Sequence, residues 1–127
     1  MMKRISTDAA PAAIGPYSQG FVSGNLAFTS GQIPLCPKTG GIKGENIAGQ
    51  TEQAIKNLKA VLEAAGSSLE RVIKTTCFLA DMKDFAQFNE IYEKHFPGKP
   101  ARSTVAVRQL PKDALVEIEA IAEIAYE

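Results

Sequence analysis

No segment constrains the fold more than IAGQTEQAIKNLKAVLEAAG, Ile47–Gly66. Ile47, Thr51, Ala54, Ile55, Leu58, Val61, Leu62 and Ala65 recur at three- and four-residue steps, while Glu52, Gln53, Lys56, Lys59 and Glu63 fill the other side. The spacing predicts an amphipathic helix over 47–65, ended by Gly66 as a C-cap residue. Such a stripe must be buried against a neighbouring layer, and the flanking segments supply one.

Upstream, Phe21-Val22 and Leu26-Ala27-Phe28-Thr29 flank the turn-prone Ser23-Gly24-Asn25, which predicts a hairpin. Ile33-Pro34-Leu35 leads into CPKTGGIKGE, a Gly- and Lys-rich loop without the spacing of a phosphate-binding motif. Downstream, VIKTTCFL (Val72–Leu79) has strand composition, with Val72 and Phe78 assigned to one face and Ile73, Cys77 and Leu79 to the other. A second helix follows, with Asp84 as N-cap, an apolar stripe of Phe85, Phe88, Tyr92 and Phe96, and Pro97-Gly98 as its stop. Two strands, roughly Thr104–Arg108 and Leu115–Ile124, are joined by the turn QLPKD.

The predicted order is β-β-α-β-α-β-β: an α+β domain over residues 1–127, with two helices covering one face of a mixed sheet. A chain of 127 residues leaves little room for a second core. The uncovered face would carry Ala27, Thr29, Thr76, Thr104 and Ala106, a surface that packing against another subunit would protect.

Hydrophobic residues make up 45% of the chain and charged residues 22%, an ordinary globular balance. The 14 basic and 14 acidic residues cancel, which argues against a protein held mainly by nucleic-acid phosphates. No segment reads as a signal peptide or a membrane span. Cys36 and Cys77 lack metal-like spacing and read as free thiols in a reducing cytoplasm. The single histidine, His95, ends the second helix and is expected to meet its last carbonyls. No Gly-x-Ser-x-Gly elbow is present, and Cys77 reads as strand packing.

Arg102 and a few acids remain as carriers of chemistry. Alternation puts Glu117, Glu119 and Glu123 on one side of the last strand, opposite Val116, Ile118, Ala120, Ala122 and Ile124. These acids read equally as a solvated face. Arg102, set just before a strand, reads either as half of an ion pair or as a planar fork for a carboxylate. Tyr17, in a Gly- and Pro-rich segment, is either a packing anchor or a pocket hydroxyl.

Four motifs go further: APAAIGPYSQG (Ala10–Gly20), TSGQIP (Thr29–Pro34), ARS (Ala101–Ser103) and LPKDALVEIEAIA (Leu110–Ala122). In order and spacing, over nearly the whole chain, they resemble the Rid/YjgF family of reactive-intermediate deaminases, in particular its 2-iminobutanoate/2-iminopropanoate deaminases. The resemblance implies a chorismate-mutase-like fold, a homotrimer with clefts between subunits, and no cofactor. It also implies hydrolysis of the enamines 2-aminoacrylate and 2-aminocrotonate, through their imines, to 2-keto acids and ammonia.

On that resemblance Arg102 holds the substrate carboxylate and Glu117 positions the water. Tyr17, Ser30 and Gly31 contact substrate, and Asn89 lies near the cleft. The chemistry of the step adds Ser30 or nearby backbone as a candidate to assist the proton's passage to ammonia. The chain departs from the pattern at Thr104, where many relatives have cysteine, so thiol-dependent reactivity is not carried over. Arg108-Gln109 also departs, without an interpretation. Two other readings stay open: a non-catalytic regulatory trimer that binds small carboxylates, and an RNA-directed endoribonuclease or translation inhibitor, which the zero net charge disfavours. A chaperone-like role would leave no readable motif.

Overall fold

The computed structural model describes residues 2–125. Its elements are β1 (Met2–Ile5), β2 (Gly20–Ser23), β3 (Leu26–Thr29), α1 (Ile47–Ala64), β4 (Val72–Leu79), α2 (Phe85–His95), β5 (Ala101–Ala106) and β6 (Val116–Glu123). The strands form one six-stranded sheet in the order β1-β2-β3-β6-β4-β5. Only β4 and β5 run parallel, across the α2 connection; the other pairs are antiparallel. Two helices over one mixed sheet is the α+β class expected from sequence, with β1 as an unforeseen additional strand.

The helix stripes behave as their spacing dictates. Ile55, Leu58 and Leu62 of α1, Phe88 and Tyr92 of α2 and Phe96 at its C-cap are buried against Cys77 and Leu79 of β4 and Val116, Ile118, Ala120 and Ala122 of β6. The Asn46 side chain caps α1 by accepting from the Gly49 amide at 3.0 Å. Asp84 occupies the N-cap position of α2 but makes no capping hydrogen bond. The capping carboxylate is Asp81, which accepts from the Lys83 amide at the 3₁₀ turn leading into the helix.

Gln53 departs from its expected solvated place. It is buried beside Asn57, donating to the Asn57 Oδ1 at 2.9 Å and to the Leu35 carbonyl at 3.3 Å. Asn57 donates in turn to the carbonyls of Ile33 and Leu35, and Gln50 to that of Gly44. One edge of α1 is thus a polar seam that satisfies the backbone of a loop with little regular pairing of its own.

The register of the sheet corrects the predicted second face. Ala27 pairs with the buried Ala122, so Ala27 and Thr29 point at the helices. Thr104 and Ala106 pair with Cys77 and Leu79 and share that side. Of the five residues expected on the open face, only Thr76, opposite Glu119, is there. Its other occupants include Phe21, Phe28, Phe78, Val105 and Ile121, a more apolar set than predicted. Ile73 is also displaced. A register shift between Val72 and Lys74 turns Ile73 outward and leaves Val72 packed on the core, reversing their expected sides.

Candidate active site

The open face supports a cavity of about 480 Å³ lined by residues that include Tyr17, Ser30, Gly31, Gln32, Glu117 and Glu119. Strand alternation delivers the acids: Val116 and Ile118 point inward to the helices, so Glu117 and Glu119 point out from the same strand. The segment carrying Gly31 is laid beside them by a short bridge. The Gln32 amide donates to the Ile118 carbonyl at 2.8 Å and the Ile118 amide to that of Gln32 at 3.0 Å. A Cβ on Gly31 would overlap the Glu117 carboxylate. The missing side chain is the room in which the acid sits.

The far wall is built by Gln19, which is buried and ties the N-terminal segment down. It accepts from the Thr7 amide at 2.7 Å and donates to the carbonyls of Thr7, Ala10 and Pro11. The Ser30 hydroxyl donates to the Ser18 carbonyl at 2.5 Å, and the Ser30 amide to the Gln19 carbonyl at 2.9 Å. Ser30 is therefore first a clasp between two loops, and its hydroxyl proton is already committed. Gly15, with a φ of 125°, sets the turn in which the Tyr17 amide returns to the Gly15 carbonyl. Tyr17 emerges 54% exposed at the rim.

Burial raises the pKa of the Glu117 carboxyl above its ordinary value, and the neighbouring Glu119 adds to the effect. Such an acid exchanges protons closer to neutrality than a free glutamate does. Cys77 is pushed up to about 11 by burial and is an inert packing thiol. Cys36 is drawn down to about 7, chiefly by hydrogen bonds from the Thr39 backbone and hydroxyl. Both cysteines are free.

Arg102 lies elsewhere. It sits inside β5 rather than before it, pairing with Thr75, whose side chain faces the helices, whereas Glu117 pairs with Phe78 on the open face. The two predicted catalytic residues thus leave the sheet in opposite directions. Arg102 is held by α2: its Nη1 donates to the Asn89 Oδ1 at 2.8 Å, and its guanidinium carbon lies 4.8 Å from the Tyr92 ring centroid and 5.6 Å from that of Phe85. The structure brings Asn89 to Arg102, and it brings Tyr17, Ser30, Gly31 and Glu117 to one cavity. Arg102 instead opens onto a smaller hollow of about 340 Å³ with Asn89, Tyr92 and Lys99. His95 differs too, its Nε2 meeting Glu52 of α1 at 2.5 Å rather than the helix carbonyls. Gln19, Gln32 and Glu119 had no assigned role, although all three lie within the quoted motifs.

The chain is similar to known proteins over nearly its whole length. The family described as Endoribonuclease L-PSP matches residues 7–124. A RutC family protein of Pyrococcus horikoshii is 55% identical over 123 residues, covering 96% of this chain and 98% of that one. The 2-iminobutanoate/2-iminopropanoate deaminase of Salmonella typhimurium is 50% identical over 126 residues, covering 96% and 98%. The crystal structure of the YjgF gene product of Escherichia coli superposes with a TM-score of 0.91 at 50% identity, over 95% of this chain and 98% of that one. With its motifs, its sheet order and these full-length matches in agreement, the chain belongs to the Rid/YjgF (L-PSP) family.

Proposed function

We propose that the protein is an enamine/imine deaminase that hydrolyses 2-iminopropanoate and 2-iminobutanoate, formed from 2-aminoacrylate and 2-aminocrotonate, to 2-keto acids and ammonia. The observation that carries this reading is the half-identity, over nearly the whole of both chains, to proteins named for that activity. The geometry suggests how the reaction proceeds. Glu117 accepts a proton from water as its oxygen adds to the carbon of the protonated imine, giving a neutral carbinolamine. Glu117 returns that proton to the nitrogen, and the C–N bond breaks as the hydroxyl oxygen forms the keto C=O. The hydroxyl proton passes to Glu117 and on to the departing ammonia, which leaves as ammonium. A carboxyl with a raised pKa suits both halves of that exchange. Binding the carboxylate in a fork beside this water turns encounter into a positioned reaction.

The fork is Arg102, which Asn89 and the two rings hold ready. Because Arg102 and Glu117 leave opposite faces of one chain, the same reading takes them from two copies. Exposed Phe21, Phe28 and Val105 on the open face and the free edge of β5 favour assembly, and a closed homotrimer satisfies both. No described helix is long and apolar enough to cross a membrane. With two free thiols, the reading places the enzyme in the cytoplasm.

The test is release of ammonia and pyruvate from freshly generated 2-aminoacrylate. Arg102→Ala and Glu117→Gln are each expected to lower kcat/KM by about a hundredfold or more. Co-refolded in equal amounts, the two variants should recover about a quarter of wild-type activity, the chance that one copy keeps its arginine and its neighbour keeps its glutamate. A mixture no more active than its parents would sink the two-copy site. Tight keto-acid binding without turnover would favour a carboxylate-binding regulator instead.

A further inference from the structure

The largest cavity described, about 620 Å³, lies away from the catalytic face, on the helix side of the molecule. Its floor is Ile55 and Leu69, both buried, with Gln53 beside them. One wall is a stripe of α1, Glu52, Lys56 and Lys59, which follow one another at four- and three-residue steps. His95 at the end of α2 and Lys43 with Gly44 close the other sides.

The charges around this groove are unbalanced. Glu52, the one acid lining it, is engaged by His95 at 2.5 Å. Among the described residues Lys43, Lys56 and Lys59 form no ion pair, and Glu70 feels Lys59 only as a nearby field. Three ammonium groups therefore surround an apolar floor in a protein whose net charge is zero. A cation would be repelled, and a fully hydrated anion would leave uncovered the apolar lysine stems that rise around the buried Ile55 and Leu69. The complementary occupant carries both features.

We infer that this groove is a second binding site, separate from the deaminase cavity, for a small amphipathic anion: a carboxylate head held by Lys43, Lys56 and Lys59 on an apolar body seated over Ile55 and Leu69. The head contacts are exposed and individually weak, so contact of the apolar body with the lysine stems adds the retention and the lysines supply the choice of sign. Lysine stems lengthen the apolar wall while their ammonium groups stay in water. The site does not depend on the deaminase reading.

His95 makes the test direct, because the only imidazole in the chain lies in this wall. Hexanoate is titrated at constant pH into the full-length protein while the His95 ring resonances are followed by NMR. A saturable shift is expected with hexanoate and none with hexylamine, which has the same body and the opposite charge. Lys56→Glu combined with Lys59→Glu, both exposed positions, should weaken the hexanoate midpoint about tenfold or more. Arg102→Ala should leave it unchanged. Absence of a saturable shift, an equal response to hexylamine, or an unchanged midpoint in the lysine variant would each overturn the site. So would loss of the response in Arg102→Ala, which would assign it to the catalytic cleft.

Discussion

The two faces of the sheet are built from the same strands yet solve different problems. On the covered face Ala120, Ala122, Ile118 and Val116 of β6 meet two helices, and every one is buried. On the open face the same strand presents Glu117, Glu119 and Ile121 among Phe21, Phe28 and Phe78. The first face has its packing partner within the chain. The second mixes aromatic surface with acids and, among the described residues, has no helix packed on it, which is the surface the proposed assembly would use. Stability and the proposed chemistry are thus divided by the pleat of a single strand.

Truncation on each face should expose this division most strongly. Leu58→Ala, in the fully buried core, is expected to destabilise the fold by about 2–5 kcal/mol in denaturant unfolding. Phe28→Ala, already 38% exposed, should cost the dilute chain about 1 kcal/mol or less while shifting sedimentation toward smaller species. Equal costs for the two at concentrations where nothing assembles would erase the distinction. Next comes Gly31→Ala. Its added methyl meets the Glu117 carboxylate, so a loss of about 1–3 kcal/mol is expected together with reduced turnover. Unchanged melting and turnover would show that the room beside Glu117 is not needed.

Two smaller effects concern charge. Glu117 has a raised pKa in the folded chain, so the native state holds its proton more tightly than the unfolded chain does. Its contribution to stability is full below the unfolded pKa of 4.5 and is lost as pH rises through the higher folded value. Glu117→Gln should therefore stabilise the fold slightly at neutral pH, by about 1 kcal/mol at most given its partial exposure, and not at all in acid. Melting temperatures across pH report this, and a larger gain in acid would contradict the sign. The smallest effect is that of Glu119→Gln. Removing the lesser cause of the shift should move the acid limb of the pH–rate profile down by a fraction of a unit.

The helices were legible because each carries its own evidence of burial in a three- and four-residue period. The faces of the sheet were not. Alternation shows that Ala27 and Phe28 point opposite ways, but only pairing with Ala122 and Ile121 decides which way each one goes. At Ile73 one extra residue inverted the alternation itself. Strand β1, four residues of MKRI with two basic side chains, has no apolar run by which to announce itself; β2 draws it into the sheet. Gln53 looked solvated because amides are usually exposed, and its partners are the Asn57 side chain and the carbonyl of Leu35, in a loop 18 residues upstream. Arg102 and Glu117 were singled out by motif, while their departure from opposite faces required the register.

Gly31 carries a consequence for how this sequence can drift. Its φ lies outside the left-handed region, so the backbone there would accept alanine, and the nearest obstacle is the Glu117 side chain. The two positions, 86 apart in the chain, therefore form one linked choice. A descendant that abandons the acid for a small residue frees the glycine at the same stroke, and one that keeps the acid has no such liberty.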